Sequence, residues 1–413
     1  MTKHAFPETE RPVAGASQTP PGPAADASQA PQGESIAAPA PPRGRGDPGR
    51  AADQPAPEGR PARLISLDAF RGLAILGMLV VNEKEFGPAT PAHLRHAGWE
   101  GLHLADLVFP WFLFIVGVAI PYAAAARRTR ANSRWEYCLR VVRRTVILVL
   151  LGALINSSYA GSPVWNMGVL QLIGLAYFVG ALLYGLAVQW RLGVAAALLL
   201  GYWLAIRFVP IPGVGSGVFT QDQNLIKYLD EAYLRHYHLN GILLAVTATA
   251  LVLIGTAIGD LLRRESDPPL RKVSVLFATG VGLVVVGWLW SLDLAFNKPV
   301  WTASYVVFAA GWASLLLGLL YLVIDVKGWR AWAFPLAVAG MNAIFAYVAP
   351  ILTNLHILRE WRWQRVPLED ALKGVFFEHA GRVPGGILYT FCYIFLWWLV
   401  LLWMYRKRVF LRV

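Results

Sequence analysis

The sequence has few charged residues. Asp, Glu, Lys and Arg make up only 15% of its 413 residues, whereas 56% are hydrophobic. A soluble domain of this size normally carries more charge than this. The chain also has only two cysteines, and Cys138 and Cys392 match no redox or metal-binding spacing. We therefore interpret both cysteines as packing residues and do not expect an ordinary soluble domain.

Residues 1–62 lack apolar periodicity and are rich in Pro, Ala, Gly and Gln; thirteen of the 27 prolines fall there. Such a segment cannot bury enough apolar surface to fold, so we predict a disordered tail. It also lacks the apolar run of a secretory signal peptide. We expect the rest of the chain, residues 63–413, to form one membrane domain.

Long apolar runs dominate this second part. About 20 apolar residues are needed for a helix to cross the hydrocarbon core of a bilayer. We therefore predict an all-α polytopic bundle of about ten transmembrane helices. The ten segments lie near residues 65–83, 103–125, 142–158, 166–188, 192–209, 240–262, 272–291, 302–325, 331–353 and 385–405.

Basic residues cluster in alternate connections, namely those after the second, fourth, sixth and eighth segments, and in the C-terminal tail. The positive-inside rule then places both termini in the cytoplasm and the loop that contains His96 outside. The net charge of +12 is spread over these connections rather than along one soluble face. For this reason we do not expect a nucleic-acid partner.

The first apolar helix carries three polar residues on one face. Helical steps of about 100° put Asp68, Arg71 and Asn82 within roughly 60° of one another, and Asp68 and Asn82 lie about 21 Å apart. One interpretation is a simple pairing of Asp68 with Arg71, three positions later. The other is that the two residues bound the cytoplasmic mouth of a cavity, where Arg71 can bind an anionic ligand.

The loop after this helix contains His96, and the next helix begins near Asp106. Histidine exchanges a proton near neutral pH, and a carboxylate that orients an imidazole is a recurring arrangement in catalysis. A solvated surface histidine is the alternative. His93 and His103 also lie nearby, but the spacing of the three histidines matches no metal motif, so we expect no metal.

Other polar or helix-breaking residues occur within apolar segments. Pro110 removes the helical hydrogen bond to the carbonyl of Asp106, which then needs another partner; the resulting kink serves either packing or a widened pocket. Gln171, Asn240 and Asn342 are amides in or at the start of apolar helices. Most such amides connect neighbouring helices, and we keep them as secondary candidates for binding.

Two segments resemble the heparan-α-glucosaminide N-acetyltransferase family and its bacterial relatives: RLISLDAFRGLAILGMLVVN and HAGWEGLHLADLVFPWFLFIVGVAIP. Three further segments follow in the family's order, NMGVLQLIGLAYFV, WTASYVVFAAGWASLLLGLLYLVID and PLAVAGMNAIFAYV. The resemblance implies transfer of acetyl from cytoplasmic acetyl-CoA to an amine of a terminal glucosamine across the membrane. It also implies that His96 is the essential histidine, that Asn82 is an active-site asparagine, and that Asp68 and Arg71 lie near the CoA phosphates.

We therefore expect a multi-pass acetyltransferase of the bacterial inner membrane, with acetyl-CoA as donor and an amino sugar or glycan on the periplasmic side as acceptor. The expected catalytic residues are His96, Asn82 and Asp106. The expected cofactor-binding residues are Asp68, Arg71, Gln171 and Asn342. A transporter or flippase is the main alternative, because a polar helix face also suits a permeation path. A non-catalytic partner in envelope assembly and a homodimer both remain compatible with the sequence.

Overall fold

The computed structural model describes residues 64–82, 90–128 and 133–411. The tail predicted over residues 1–62 lies outside these ranges. Within them the chain is helical, apart from a pair of two-residue strands, so the all-α class is confirmed. The helices are α1 (Ile65–Asn82), α2 (Leu104–Arg128), α3 (Arg134–Ala160), α4 (Val169–Leu183), α5 (Val188–Phe208), α6 (Leu225–Leu229), α7 (Leu244–Arg263), α8 (Pro269–Trp290), α9 (Ala303–Leu320), α10 (Phe334–Met341), α11 (Ala343–Thr353), α12 (Leu368–Ala380) and α13 (Arg382–Arg406). The strands are β1 (Arg362–Trp363) and β2 (Val366–Pro367), which pair antiparallel.

Seven of the described helices are long and apolar enough to cross a membrane. They are α1, α2, α5, α7, α8, α9 with its π-helical extension to Val326, and α13. A bent pair, α10 and α11, gives an eighth candidate. The remaining two predicted segments are helical but do not meet this test: α3 begins with a charged half, and α4 has only 15 residues. The count of ten spans and the orientation of the termini stay predictions.

The segment predicted as one span over residues 331–353 is interrupted. Two helical arms, 331–341 and 343–358, meet at an angle of 69°. Asn342 lies at the break with φ −119° and ψ 42°. Its Nδ2 donates to the carbonyl of Val409 at 3.1 Å, and its Oδ1 accepts from the amide of Leu411 at 2.9 Å. The bend was not predicted because the partners of Asn342 lie in the C-terminal tail, far along the chain.

Glycines bring α1 and α10 into backbone contact. A Cβ atom added at Gly72 would lie 1.8 Å from the carbonyl oxygen of Leu336, and one added at Gly340 would lie 1.9 Å from that of Asp68. No side chain fits at either position, so the two helices are held at a fixed separation. The contact fixes the start of α1, where Asp68 and Arg71 lie, against the break at Asn342.

Candidate active site

A cavity of about 400 Å³ opens beside the start of α2, and we name it the His96 cavity. Four parts of the chain line it: the loop around His96, the first turns of α2 and α4, the start of α7 with Gly241, and the segment 298–301. His96, Asp106 and Lys298 are its ionisable lining residues. All other described residues on its wall are apolar or glycine. The three groups therefore face one another in an otherwise apolar space.

The structure brings His96 and Asp106 together. The Nδ1 atom of His96 lies 2.8 Å from Oδ1 of Asp106, whose side chain is only 1% exposed. Oδ2 of Asp106 accepts hydrogen bonds from the backbone amides of Ala97 and His103, both at 3.0 Å. The carboxylate is thus fixed by the loop on one side of it and by its own helix on the other.

This geometry assigns the tautomer of His96. An ionised carboxylate only accepts hydrogen bonds, so the tautomer that pairs with Asp106 has the proton on Nδ1 and keeps the lone pair on Nε2. The imidazole side chain is 46% exposed, and Nε2 forms no hydrogen bond with any residue in the described part of the chain. His96 can therefore accept a proton from, or attack, a molecule in the cavity.

Lys298 completes the group, and the sequence analysis missed it. Its Nζ atom lies 3.1 Å from Nδ1 of His96 and 3.3 Å from Oδ1 of Asp106. The adjacent Asn297 is fully buried and donates to the carbonyl of Trp99 at 2.6 Å, which ties this segment to the His96 loop. The polar run Asn297-Lys298-Pro299 just before an apolar helix is the signal that could have identified it.

Pro110 has the consequence for hydrogen bonding that the sequence predicts. The carbonyl of Asp106, which lacks its helical partner, accepts a hydrogen bond from the hydroxyl of Tyr305 at 2.6 Å. Tyr305 lies on α9 and is fully buried. The start of α2 is therefore anchored through both the main chain and the side chain of Asp106.

A second cavity, of about 270 Å³, lies further along α2, and we name it the arginine cavity. Arg71 lines it and donates to Oδ1 of Asp68 at 2.9 Å and to the carbonyl of Gly340 at 3.4 Å. Arg144 also lines it, with its guanidinium 4.3 Å from the ring centre of Tyr177. The buried Nε of Arg144 has no hydrogen-bond partner among the described residues. Arg71 thus pairs with Asp68 and also lines a cavity.

The two cavities follow one another along α2. On this helix, Asp106 and Phe109 line the His96 cavity, and Phe112, Val116 and Ala119 line the arginine cavity. On α4 the two linings lie at the same level, with Val169 and Leu172 in the first and Leu170 and Ile173 in the second. The rise of an α-helix puts Asp106 and Ala119 about 20 Å apart. One extended molecule could therefore contact both cavities.

The other candidate residues lie around these cavities. Asn82 ends α1 with an exposed side chain and does not line the His96 cavity as the described residues form it. Gln171 is buried; it donates to the carbonyl of Asn166 at 3.2 Å and accepts from the amide of Gly168 at 3.2 Å, which fixes the start of α4. Asn342 holds the C-terminal tail beside the arginine cavity. Their predicted roles in binding or catalysis remain predictions.

Comparisons with known proteins agree with the motif-bearing segments. A family described as a domain of unknown function, DUF5009, matches residues 63–254, which include α1 to α5, the His96 loop and part of α7. Heparan-alpha-glucosaminide N-acetyltransferase of Homo sapiens is 28% identical over 418 residues, covering 86% of this chain and 60% of its own length. The enzyme of the same name from Mus musculus is 27% identical, covering 89% of this chain and 63% of its own length.

This chain thus spans about three fifths of the length of the curated relatives it matches. The similarity nevertheless extends over most of the present chain. The chain is therefore similar to the heparan-α-glucosaminide N-acetyltransferases, as the two segments around Arg71 and His96 indicate.

Proposed function

We propose that this protein is a transmembrane acetyltransferase that moves acetyl from acetyl-CoA to an amino sugar or glycan on the opposite side of the membrane. One observation carries the proposal. A histidine oriented by a buried carboxylate lies in a cavity that is followed along α2 by an arginine-lined cavity. The first cavity suits acyl transfer, and the second suits a phosphorylated donor.

The arginine cavity would hold the phosphates of acetyl-CoA. Guanidinium groups bind phosphate oxygens with two parallel hydrogen bonds, and Arg71 and Arg144 both line this cavity. The first residues of α11, Ala343 and Ile344, line it as well. The amides of a first helical turn have no partner within the helix and favour an anion. The break at Asn342 creates this helix start inside the bundle.

The pantetheine arm would run between α2 and α4 rather than along the face of α1 that joins Asp68 to Asn82. The distance of about 20 Å along α2 suits such an extended arm. The thioester would then lie in the His96 cavity. Gln171 and Asn342 would act indirectly, because their side chains hold the start of α4 and the bend between α10 and α11.

In the transfer step, the acceptor amine attacks the thioester carbonyl carbon while Nε2 of His96 takes a proton from the amine nitrogen. The carbon–sulfur bond breaks, and the CoA thiolate leaves and is protonated. Asp106 would stabilise the imidazolium, and Lys298, which lines the same cavity, would stabilise negative charge at the carbonyl oxygen if that oxygen is bound within its reach. A covalent acetyl-histidine formed at the same Nε2 is the other route.

Asn82 remains part of the proposal as a donor to the thioester oxygen. A Cβ at Gly77 would lie 3.0 Å from the side chain of Val108, so the last turn of α1 extends towards the end of the bundle at which α2 begins. The distribution of basic residues puts this end outside the cytoplasm. The acceptor would then be periplasmic, and the membrane would be the bacterial inner membrane.

The proposal is tested by replacing His96 with alanine and measuring acetyl transfer from acetyl-CoA to glucosamine in membranes. We expect turnover to fall by about 10²-fold or more, the usual effect of losing a general base. His93→Ala is the matched control, because His93 is exposed and does not line the cavity. Unchanged turnover in the His96 variant would reject the proposal.

A further inference from the structure

A third cavity, of about 350 Å³, lies beside the His96 cavity, and we name it the side cavity. Its volume falls in the range of roughly 300–1,000 Å³ that is typical of small-molecule sites. Three chain segments line both cavities: Gly98 with Trp99, Asn240 with Gly241, and 298–300. Pro299 belongs to both walls. The two cavities are therefore neighbours separated by a thin wall.

The lining of the side cavity differs from that of the His96 cavity. It includes the amide side chains of Gln221, Asn224 and Asn240, and the indole of Trp99. Its charged members are two acidic and two basic residues, so their charges balance. Many hydrogen-bonding groups without an excess of one charge favour a neutral, hydroxylated ligand over an anion or a cation. A Trp ring offers a flat apolar surface for the face of a sugar.

Two polar groups of this lining lack partners among the described residues. Oδ2 of Asp230 accepts from the amide of Gly241 at 3.0 Å, whereas the buried Oδ1 has no hydrogen bond. The buried Nε1 of Trp99 has none either. Burial raises the pKa of the Asp230 carboxyl, although the Gly241 hydrogen bond acts in the opposite direction. Buried polar groups are normally paired, so the lining contains an acceptor and a donor that the described part of the protein leaves unsatisfied.

Asp230 also connects the walls of the two cavities through its hydrogen bond. It lies in a π-helical turn, Asp230–Leu234, a distortion found often at functional sites. Its hydrogen bond holds Gly241, which lines the His96 cavity and has φ +84°, a conformation that favours glycine. A molecule bound to Asp230 would thus contact the residue that fixes part of the neighbouring wall.

We propose that the side cavity binds the second sugar residue of a glycan acceptor while the terminal amino sugar occupies the His96 cavity. This inference rests on the proposed acetyltransferase function. Asp230 accepts a hydrogen bond from a hydroxyl of the second residue, the amides of Gln221 and Asn240 bind further hydroxyls, and Trp99 packs on the ring. The protein therefore recognises at least a disaccharide.

The test compares two probes, glucosamine and its β-1,4-linked disaccharide, as acceptors for the purified full chain with acetyl-CoA. We expect kcat/KM for the disaccharide to exceed that for the monosaccharide by about tenfold, as one added hydrogen bond to a charged group would produce. In Asp230→Asn this ratio should fall to near one. The amide oxygen still accepts from Gly241, but the new NH₂ group cannot accept a hydrogen bond.

Asp370→Asn is the matched control, because Asp370 is exposed at the start of α12 and lines neither cavity. It should keep the full ratio. Stabilisation by acetyl-CoA in a thermal melt checks that the Asp230 variant is folded. If that variant does not fold, Trp99→Phe carries the test, since it keeps an aromatic ring and removes only the indole donor, and the ratio should again decrease.

A ratio near one in the unmodified protein would overturn the second sugar site. A ratio unaffected by both Asp230→Asn and Trp99→Phe would overturn the assignment of these residues. Absence of acetyl transfer to either probe is a different result, because it would reject the proposed function and the sugar site with it.

Discussion

Replacement of Asp106 by asparagine should separate the orientation of His96 from the folding of the loop. The carboxylate accepts two backbone hydrogen bonds through Oδ2 and contacts His96 and Lys298 through Oδ1. An asparagine that keeps the two backbone hydrogen bonds presents its NH₂ group to Nδ1 of His96. That ring nitrogen must then accept, so the proton moves to Nε2 and the imidazole can no longer act as a base.

We expect kcat to fall by about 10²- to 10⁴-fold, the usual range for loss of a general base or of the correct tautomer. KM for acetyl-CoA should change little, because the proposed phosphate site, the arginine cavity, lies further along α2. The melting temperature should decrease modestly. Asp106→Ala is a useful contrast, since it leaves two backbone amides and Lys298 without a carboxylate and should destabilise the fold by about 3–5 kcal/mol.

The assay is steady-state acetyl transfer with purified protein, together with a thermal melt of each variant. Asp222→Asn, the same substitution at an exposed site, should leave both measurements unchanged. The double variant His96→Ala with Asp106→Asn should be no slower than His96→Ala alone, because the two residues act as one unit. An Asp106→Asn enzyme with turnover within threefold of the unmodified protein would refute this account of the pair.

Three further predictions concern the rest of the bundle. Arg144→Gln should raise KM for acetyl-CoA by about tenfold in kinetic assays, because it removes a charged hydrogen bond to phosphate. Arg140→Gln, at an exposed arginine, should leave this KM unchanged. Gly72→Ala should lower the unfolding free energy by about 1–3 kcal/mol in denaturation experiments, because the new Cβ clashes with the backbone of α10. Gly201→Ala should not lower it, because Gly201 lies in open space on α5. Burial acts to raise the pKa of the Glu369 carboxyl, but its salt bridges with a lysine and an arginine hold that pKa below its ordinary value. Because the pKa of Glu369 is lower in the folded than in the unfolded protein, its salt bridges stabilise the fold above the unfolded pKa, and this stabilisation is lost as pH falls through the folded pKa. The difference in melting temperature between Glu369→Gln and the unmodified protein should therefore shrink below about pH 4.

Local features of the sequence were sufficient to predict much of the architecture. The apolar runs identify all ten segments as helices, because helix length and hydropathy are properties of contiguous residues. The contact of His96 with Asp106 was suggested for a similar reason, since only ten positions separate them. The sequence predicts that the Asp106 carbonyl needs a new partner, because Pro110 removes its helical one. It does not predict that this partner is Tyr305.

Contacts between distant parts of the chain were not predictable. Lys298 lies 202 positions from His96, and in the sequence it is a single lysine in an outer connection. Arg144 belongs to a basic cluster that indicates topology, and only packing against α4 brings it into the arginine cavity. The bend at Asn342 likewise depends on backbone groups of the C-terminal tail.

The central claim is that acetyl crosses from a donor on one side of the membrane to an acceptor on the other. The most direct test uses sealed vesicles with the cytoplasmic face outward, labelled acetyl-CoA outside, and glucosamine trapped inside. We predict labelled N-acetylglucosamine in the lumen with the unmodified protein and none with His96→Ala. Labelled product that forms only when glucosamine is added outside, or equal lumenal product from the two proteins, would contradict the account.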